Sequence, residues 1–342
     1  MRPRHLLLAV FVAALWGVNF VVIDVGLDHF PPLLFGALRF LAAAVPAVFL
    51  VGRPPVKWRW IIGVGLTLGV GKFGLLFVGM GAGMPAGLSS LVLQAQAVFT
   101  ALFAVVALGE RLRGARAVGL AVAVAGIVVA AVDEGLSGPF LGFALVIAAA
   151  AFWGVSNILT RKAAAPDAFR FIVWVSAVPV LPLLLLSLAV EGPHADAEAL
   201  RSLDWSGVGA LLFVAWISTV LGFGLWGHLL RTYDASAVAP FSLLVPVFGM
   251  SSAALLLDEE VTPLRWGAAV LLVGGIAVAS LAGTGRPGFR RVVRTGGPAA
   301  AGEATAGEAA TGEATTGAAA AGEAAAGAAA ARPSVAPGNA VP

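Results

Sequence analysis

Residues 86–108 read AGLSSLVLQAQAVFTALFAVVAL, twenty-three positions without one charged side chain. Wound as a helix at 1.5 Å per residue, such a run is about 35 Å long, enough to cross the ~30 Å hydrocarbon core of a bilayer. Its polar residues are Ser89, Ser90, Gln94, Gln96 and Thr100, and all of them lie well inside the apolar run.

Reading outward in both directions, nine more runs of this kind occur. Together they give ten predicted spans, at 6–26, 33–51, 60–80, 86–108, 115–132, 139–160, 169–190, 206–230, 236–257 and 264–283, joined by short connectors that carry charges, Pro or Gly. The predicted fold class is an all-α polytopic membrane protein. Composition agrees: 60% of residues are apolar and 11% are charged, against about half and about a quarter in soluble domains. The net charge is only +3, and the basic residues sit in connectors rather than in a stripe, which argues against a nucleic-acid partner. The chain has no Cys, so disulfides, thiolate nucleophiles and Cys-based metal sites are excluded. The run at 6–26 is longer than a signal-peptide core and no small-residue cleavage site closes it, so it reads as a retained first helix.

Ten spans put both termini on one side. With that side in the cytoplasm, sixteen Lys and Arg of the connectors and termini fall inside, and two, Arg201 and Arg265, fall outside beside Asp133-Glu134, Asp196 to Glu198 and Asp258-Glu259-Glu260. That bias follows the positive-inside rule and fixes the expected orientation as an inner-membrane protein. Of these acidic connectors, Asp258-Glu259-Glu260 resembles a carboxylate cluster but reads as a solvated turn.

The chain also repeats itself. At an offset of 149 the segment 86–130 lies over 235–279, pairing Val98-Phe99 with Val247-Phe248, Glu110 with Glu259, Arg116 with Arg265 and Gly126-Ile127 with Gly275-Ile276. At an offset of 137, Ala14 to Val18 matches Ala151 to Val155, which makes Trp16 and Trp153 equivalent. The expected organisation is a first repeat over 1–132 and a second over 133–283, each with five helices. Because five is odd, the halves enter the membrane from opposite faces, the inverted-topology arrangement that recurs in secondary transporters. Residues 284–342 are basic and then Ala/Gly/Glu-rich, with Gly interrupting every potential helix, and read as a disordered cytoplasmic tail.

Several stretches resemble EamA-type transporters of the drug/metabolite transporter superfamily. They are Leu15 to Ile23, Pro31 to Leu34 with Leu38-Arg39-Phe40, Gly83 to Ala97, Leu108 to Leu112 and Leu243 to Val247, and the resemblance covers roughly residues 6–283. It implies export of small amino-acid-type metabolites of the cysteine pathway, such as O-acetylserine and cysteine. A broad-specificity drug carrier or an uptake permease of the same fold, and a non-transporting membrane scaffold, remain as alternatives.

Polar groups inside apolar spans are costly in hydrocarbon, about 2.5–3.5 kcal/mol for a centred charge on insertion scales, so they are expected to face a cavity or a partner. Lys72 falls mid-way along the third span, at a depth comparable to Asn19 in the first, and its ammonium fits a substrate carboxylate or a proton-coupled step; the alternative is a lysine that snorkels. In the fourth span Ser89, Gln96 and Thr100 share one face and Ser90 and Gln94 another, and only one face can look squarely into a cavity. The candidate substrate-binding set is Trp16, Asn19, Lys72, Gln94, Gln96, Trp153 and Asn157, with the two indoles as walls. Asp24 and Arg39 lie at compatible depths in adjacent antiparallel helices and are expected to form an ion pair, or a gate. GxxxG spacings at Gly65/Gly69, Gly79/Gly83 and Gly83/Gly87 suggest close helix packing. Pro46, Pro179, Pro182, Pro240 and Pro246 suggest kinks.

No phosphate-binding loop, HExxH or GxSxG motif occurs, so no catalytic residue, metal ligand or cofactor is expected. The expected partners are a small polar solute, membrane lipid and, for coupling, a proton; the sequence leaves the oligomeric state open.

Overall fold

The computed structural model describes residues 1–110, 112, 114–137, 140–233 and 235–283. The predicted tail at 284–342, Arg111, Arg113 and Pro139 lie outside the described residues.

Among the described residues ten helices are long and apolar enough to cross a membrane: α1 (Pro3–Leu27), α2 (Pro32–Leu50), α3 (Trp58–Gly81), α4 (Ala86–Leu108), α5 (Ala115–Gly135), α6 (Phe140–Ala163), α7 (Arg170–Val190), α8 (Trp205–Leu229), α9 (Ala239–Leu256) and α10 (Pro263–Leu281). Each bound falls within three residues of the sequence expectation. Local chemistry sets the ends. Proline opens α1, α2 and α10, where a missing N–H costs nothing. Asp204 caps α8 by accepting from the Gly207 N–H at 2.8 Å. Gly109, at φ +68°, closes α4.

The interruptions inside the helices are more informative. Residues Leu66–Gly74 of α3 and Phe213–Leu221 of α8 are both π-helical, nine residues each and 147 positions apart (213 minus 66). The 3₁₀ turn Leu93–Ala95 in α4 maps at the 149 offset onto residues 242–244, within the 3₁₀ segment Ala239–Leu244 that starts α9. The offset rises from 137 at α1/α6 to 147 at α3/α8, and between them α7 and α8 are joined by an additional short helix, Pro193–Arg201. Pro179 breaks α7 into two segments, Ala168–Ala177 and Val180–Val190.

Contacts follow the same correspondence. An added Cβ on Gly17 of α1 would meet Phe248 and Gly249 of α9, and one on Gly154 of α6 would meet Phe99 and Thr100 of α4; these are the same pairs under the 137 and 149 offsets. Helices α5 and α10 pack antiparallel, backbone to backbone. Gly126 lies against Ala268 and Leu272, while its equivalent Gly275 lies against Gly119 and Ala123, the positions equivalent to 268 and 272. This contact was not among the expected GxxxG pairs. Of those, Gly65 and Gly69 do pack closely, on Val178 and Pro179, but Gly83 stands in the turn after α3 at φ +96°, so its two spacings are not helix faces.

Two expectations about connectors are corrected. Asp133 and Glu134 are not in a connector but in the last turns of α5, 5% and 1% exposed. The Arg265 Nε donates to Asp133 Oδ2 at 2.6 Å, and its other nitrogens lie 3.5 Å from Glu134 and 3.4 Å from Glu259. Glu259 is therefore no solvated turn residue, and it also accepts from the Gly87 N–H at 3.0 Å. Asp196 in the short helix is likewise buried, against the hydroxyl of Ser187. At the opposite end of α5, Glu110 binds Arg116 at 3.4 Å and Arg161 at 2.8 Å. Arg116 and Asp133 are 17 positions apart on one helix, so the two clusters are separated by about 26 Å.

Candidate functional site

Among the described residues, polar side chains in the middle of the helices gather in three places. The first is built on the π segment of α3. Lys72 is 7% exposed, and its Nζ lies 3.4 Å from the centroid of Phe73 and 4.3 Å from that of Trp153 on α6. Arg39 of α2, 3% exposed, places its guanidinium carbon 3.9 Å from the same Phe73 centroid and donates through Nη2 to Thr219 Oγ1 at 3.1 Å. Thr219 holds the same place in the π segment of α8 as Lys72 does in that of α3, so the two π segments bring their seventh residues toward one arginine.

The second group joins α4 and α6. The Asn157 amide donates to Gln96 Oε1 at 3.0 Å and to Thr100 Oγ1 at 2.9 Å. Trp153 and Asn157 are one turn apart on α6 and share a face, so this cluster continues the line that begins at Lys72. Of the two faces weighed for α4, the Gln96/Thr100 face carries the cross-helix network.

The third group separates from these. Gln94 makes a long 3.4 Å contact to the carbonyl of Ser242 in α9, and Ser90 turns back onto its own helix at the Gly87 carbonyl. Trp16 does not stand beside Trp153. Its indole N–H donates to the Ser218 carbonyl at 3.1 Å and its ring lies 5.2 Å from Trp226. Each of the two equivalent tryptophans thus rests on the π segment of the other half: Trp16 on α8, Trp153 on α3. The Asn19 side-chain oxygen and the Ser89 hydroxyl are buried without a hydrogen-bond partner among the described residues.

The expected Asp24–Arg39 pair does not form. Similar depth brings two residues to one level, but helix rotation decides what they face, and Arg39 faces Phe73 and Thr219 rather than α1. The sequence reading also missed Ser218 and Thr219, although two adjacent polar residues within the apolar run Trp216 to Gly224 meet the same criterion that singled out Lys72.

Lys72, Arg39, Asn19, Gln94, Thr100 and Asn157 are each less than a tenth exposed, while Gln96, Thr219, Trp16 and Trp153 are partly buried, so a solute would reach the two cations only after a movement of the helices. Clefts of about 370 and 240 Å³ open elsewhere, at His194, Glu198 and Arg201 and along Phe103, Val155 and Lys162. No group of three or more metal-ligating side chains occurs among the described residues.

Ten membrane-length helices with charged and amide side chains gathered in their middle describe a multi-pass membrane transporter. The model of the EamA-like transporter family matches the chain twice, at residues 4–132 and 140–281. The chain belongs to the EamA-like transporter family, and it is a transporter rather than an enzyme. It is 42% identical over 285 residues to a probable amino-acid metabolite efflux pump of Escherichia coli K12 and 44% identical to one of Salmonella typhimurium LT2, each alignment covering 81% of this chain and 95% of the relative. An uncharacterized transporter of Bacillus subtilis is 26% identical over 287 residues, with 81% of this chain and 92% of the relative covered. One solved crystal structure superposes with a TM-score of 0.55 at 20% identity, covering 86% of this chain and all of the other, which speaks to the fold alone.

Proposed function

We propose that this protein is a secondary-active exporter of small amino-acid-type metabolites of the O-acetylserine and cysteine kind. It works in the cell inner membrane, with both termini cytoplasmic, by alternating access between two inverted five-helix halves. The observation that carries this reading is the identity above 40%, over 285 residues, with two proteins each named a probable amino-acid metabolite efflux pump. The line Lys72, Trp153, Asn157, Gln96 supports it, since it offers a cation, an aromatic wall and amides of the kind an amino-acid metabolite requires. Asn19, Gln94 and Trp16 complete the binding set in a state where the halves have moved. With no nucleotide-binding motif in the chain, a proton gradient exchanged against the solute supplies the energy.

Expression in a sensitive host tests this. Cells carrying the protein should tolerate an excess of cysteine and O-acetylserine while gaining no tolerance to unrelated toxic cations. Protection against unrelated compounds instead would make it a broad drug carrier, and greater sensitivity to the amino acids would make it an uptake permease.

A further inference from the structure

We propose that Arg39 and Lys72 together form one anion site that takes the carboxylate of the transported solute, so that the protein selects carboxylate-bearing metabolites over their neutral and cationic analogues. This rests on the exporter reading but goes further, because it assigns Arg39 a role in binding and names the group on the solute that must be present.

The two charges are an unbalanced pair. At 3.9 and 3.4 Å from one centroid, they are separated by no more than the sum of those distances, 7.3 Å. Both are more than nine-tenths buried, and among the described residues neither is within ion-pair distance of a carboxylate. Arg39 uses one nitrogen on Thr219 and leaves Nε and Nη1 buried without a partner. An arginine cannot escape by losing its proton, and a guanidinium is the side chain best shaped to hold a carboxylate. The faces of Phe73 and, for Lys72, Trp153 offset part of the charge, but aromatic rings do not replace a counter-ion for two like charges. Elsewhere the fold does pair its buried cations: Arg265 has Asp133, Glu134 and Glu259 around it. The missing anion at Arg39 and Lys72 is therefore a property of this place.

Its position suits a transported ligand. Arg39 comes from α2, Lys72 from the π segment of α3 and Thr219 from the π segment of α8, so the site is assembled from both halves of the chain. Any relative movement of the halves changes the distance between its donors.

The test uses the purified full-length protein in detergent, with thermal unfolding as the readout. Acetate is the probe and acetamide its neutral match, at constant sodium and balanced with a large sulfonate; cysteine and O-acetylserine are compared with their methyl esters. Acetate and the free amino acids should raise the unfolding temperature, and acetamide and the esters should not. Arg39→Gln and Lys72→Met should each weaken the apparent affinity about tenfold or more, the loss of one charge-assisted contact, while exposed Arg59→Gln leaves it unchanged. Without any anion the two neutral variants should melt no lower than the parent, because they remove a buried charge that lacks a partner. Stabilisation by ester and acid alike, no stabilisation by either, or a carboxylate effect that survives in Arg39→Gln and Lys72→Met overturns the proposal. If either variant fails to fold, the acid and ester comparison on the parent decides alone. The tolerance assay separates this from the exporter reading: protection by a protein blind to carboxylates sinks the anion site only, and carboxylate binding without protection sinks the exporter only.

Discussion

Glu110 and Glu259, 149 positions apart, each hold the arginine six residues further along at 3.4 Å. The two pairs sit at opposite ends of α5 and α10, and their surroundings differ. Around Glu110 the side chains are about one-fifth exposed and a second arginine, Arg161, joins. Around Arg265 everything is closed and three carboxylates share one guanidinium.

That contrast predicts unequal costs. Arg265→Gln leaves Asp133, Glu134 and Glu259 buried together and should destabilise by about 3–5 kcal/mol, the usual penalty for orphaning one side of a buried pair. Arg116→Gln should cost about 1 kcal/mol or less, because Arg161 still serves Glu110 and water reaches the site. Thermal unfolding of the two variants in detergent checks this; equal losses would contradict it.

The α5/α10 contact predicts a second asymmetry. Gly126→Leu and Gly275→Leu must separate two backbones and should each cost about 1–3 kcal/mol. Gly267→Ala, on the same helix with open space around it, should be neutral or stabilising by up to about 1 kcal/mol. The same melting experiment reads all three.

Asn157→Leu removes the donor that holds both Gln96 and Thr100. Stability should fall by about 1–3 kcal/mol, and transport of amino-acid metabolites by about tenfold or more, since one lost polar contact of that size changes affinity tenfold. Asn157→Gln, which keeps an amide, should recover part of the flux. Full flux in Asn157→Leu would remove this group from the solute path.

Orientation is directly measurable because the chain has no Cys of its own. Ser202→Cys, exposed after the short helix, should react with a membrane-impermeant maleimide from outside intact cells, and exposed Gly52→Cys only after permeabilisation. The reverse pattern would invert the topology.

The spans were legible because twenty apolar residues leave a chain few choices, and the depth of Lys72 was legible for the same reason. What a side chain faces was not. Arg39 was expected on Asp24 because both lie at one level, yet rotation about the helix axis turns it to Phe73 and Thr219. Asp133 and Glu134 looked like a connector because charges end a hydrophobic run; their partner Arg265 lies 132 positions away, beyond any local pattern. The π segments that carry Lys72 and Thr219 left no signature of their own in composition, and their 147-residue spacing lies outside the stretches matched at offsets 137 and 149.

The most direct test of the exporter account is flux of radiolabelled cysteine and O-acetylserine in proteoliposomes under an imposed pH gradient, comparing the intact protein with Lys72→Gln and Gln94→Ala. The account predicts gradient-dependent flux in the intact protein and its loss in Lys72→Gln, with a smaller loss in Gln94→Ala. Gradient-independent flux would remove the proton coupling, and no flux of either metabolite by correctly folded protein would contradict the assignment itself.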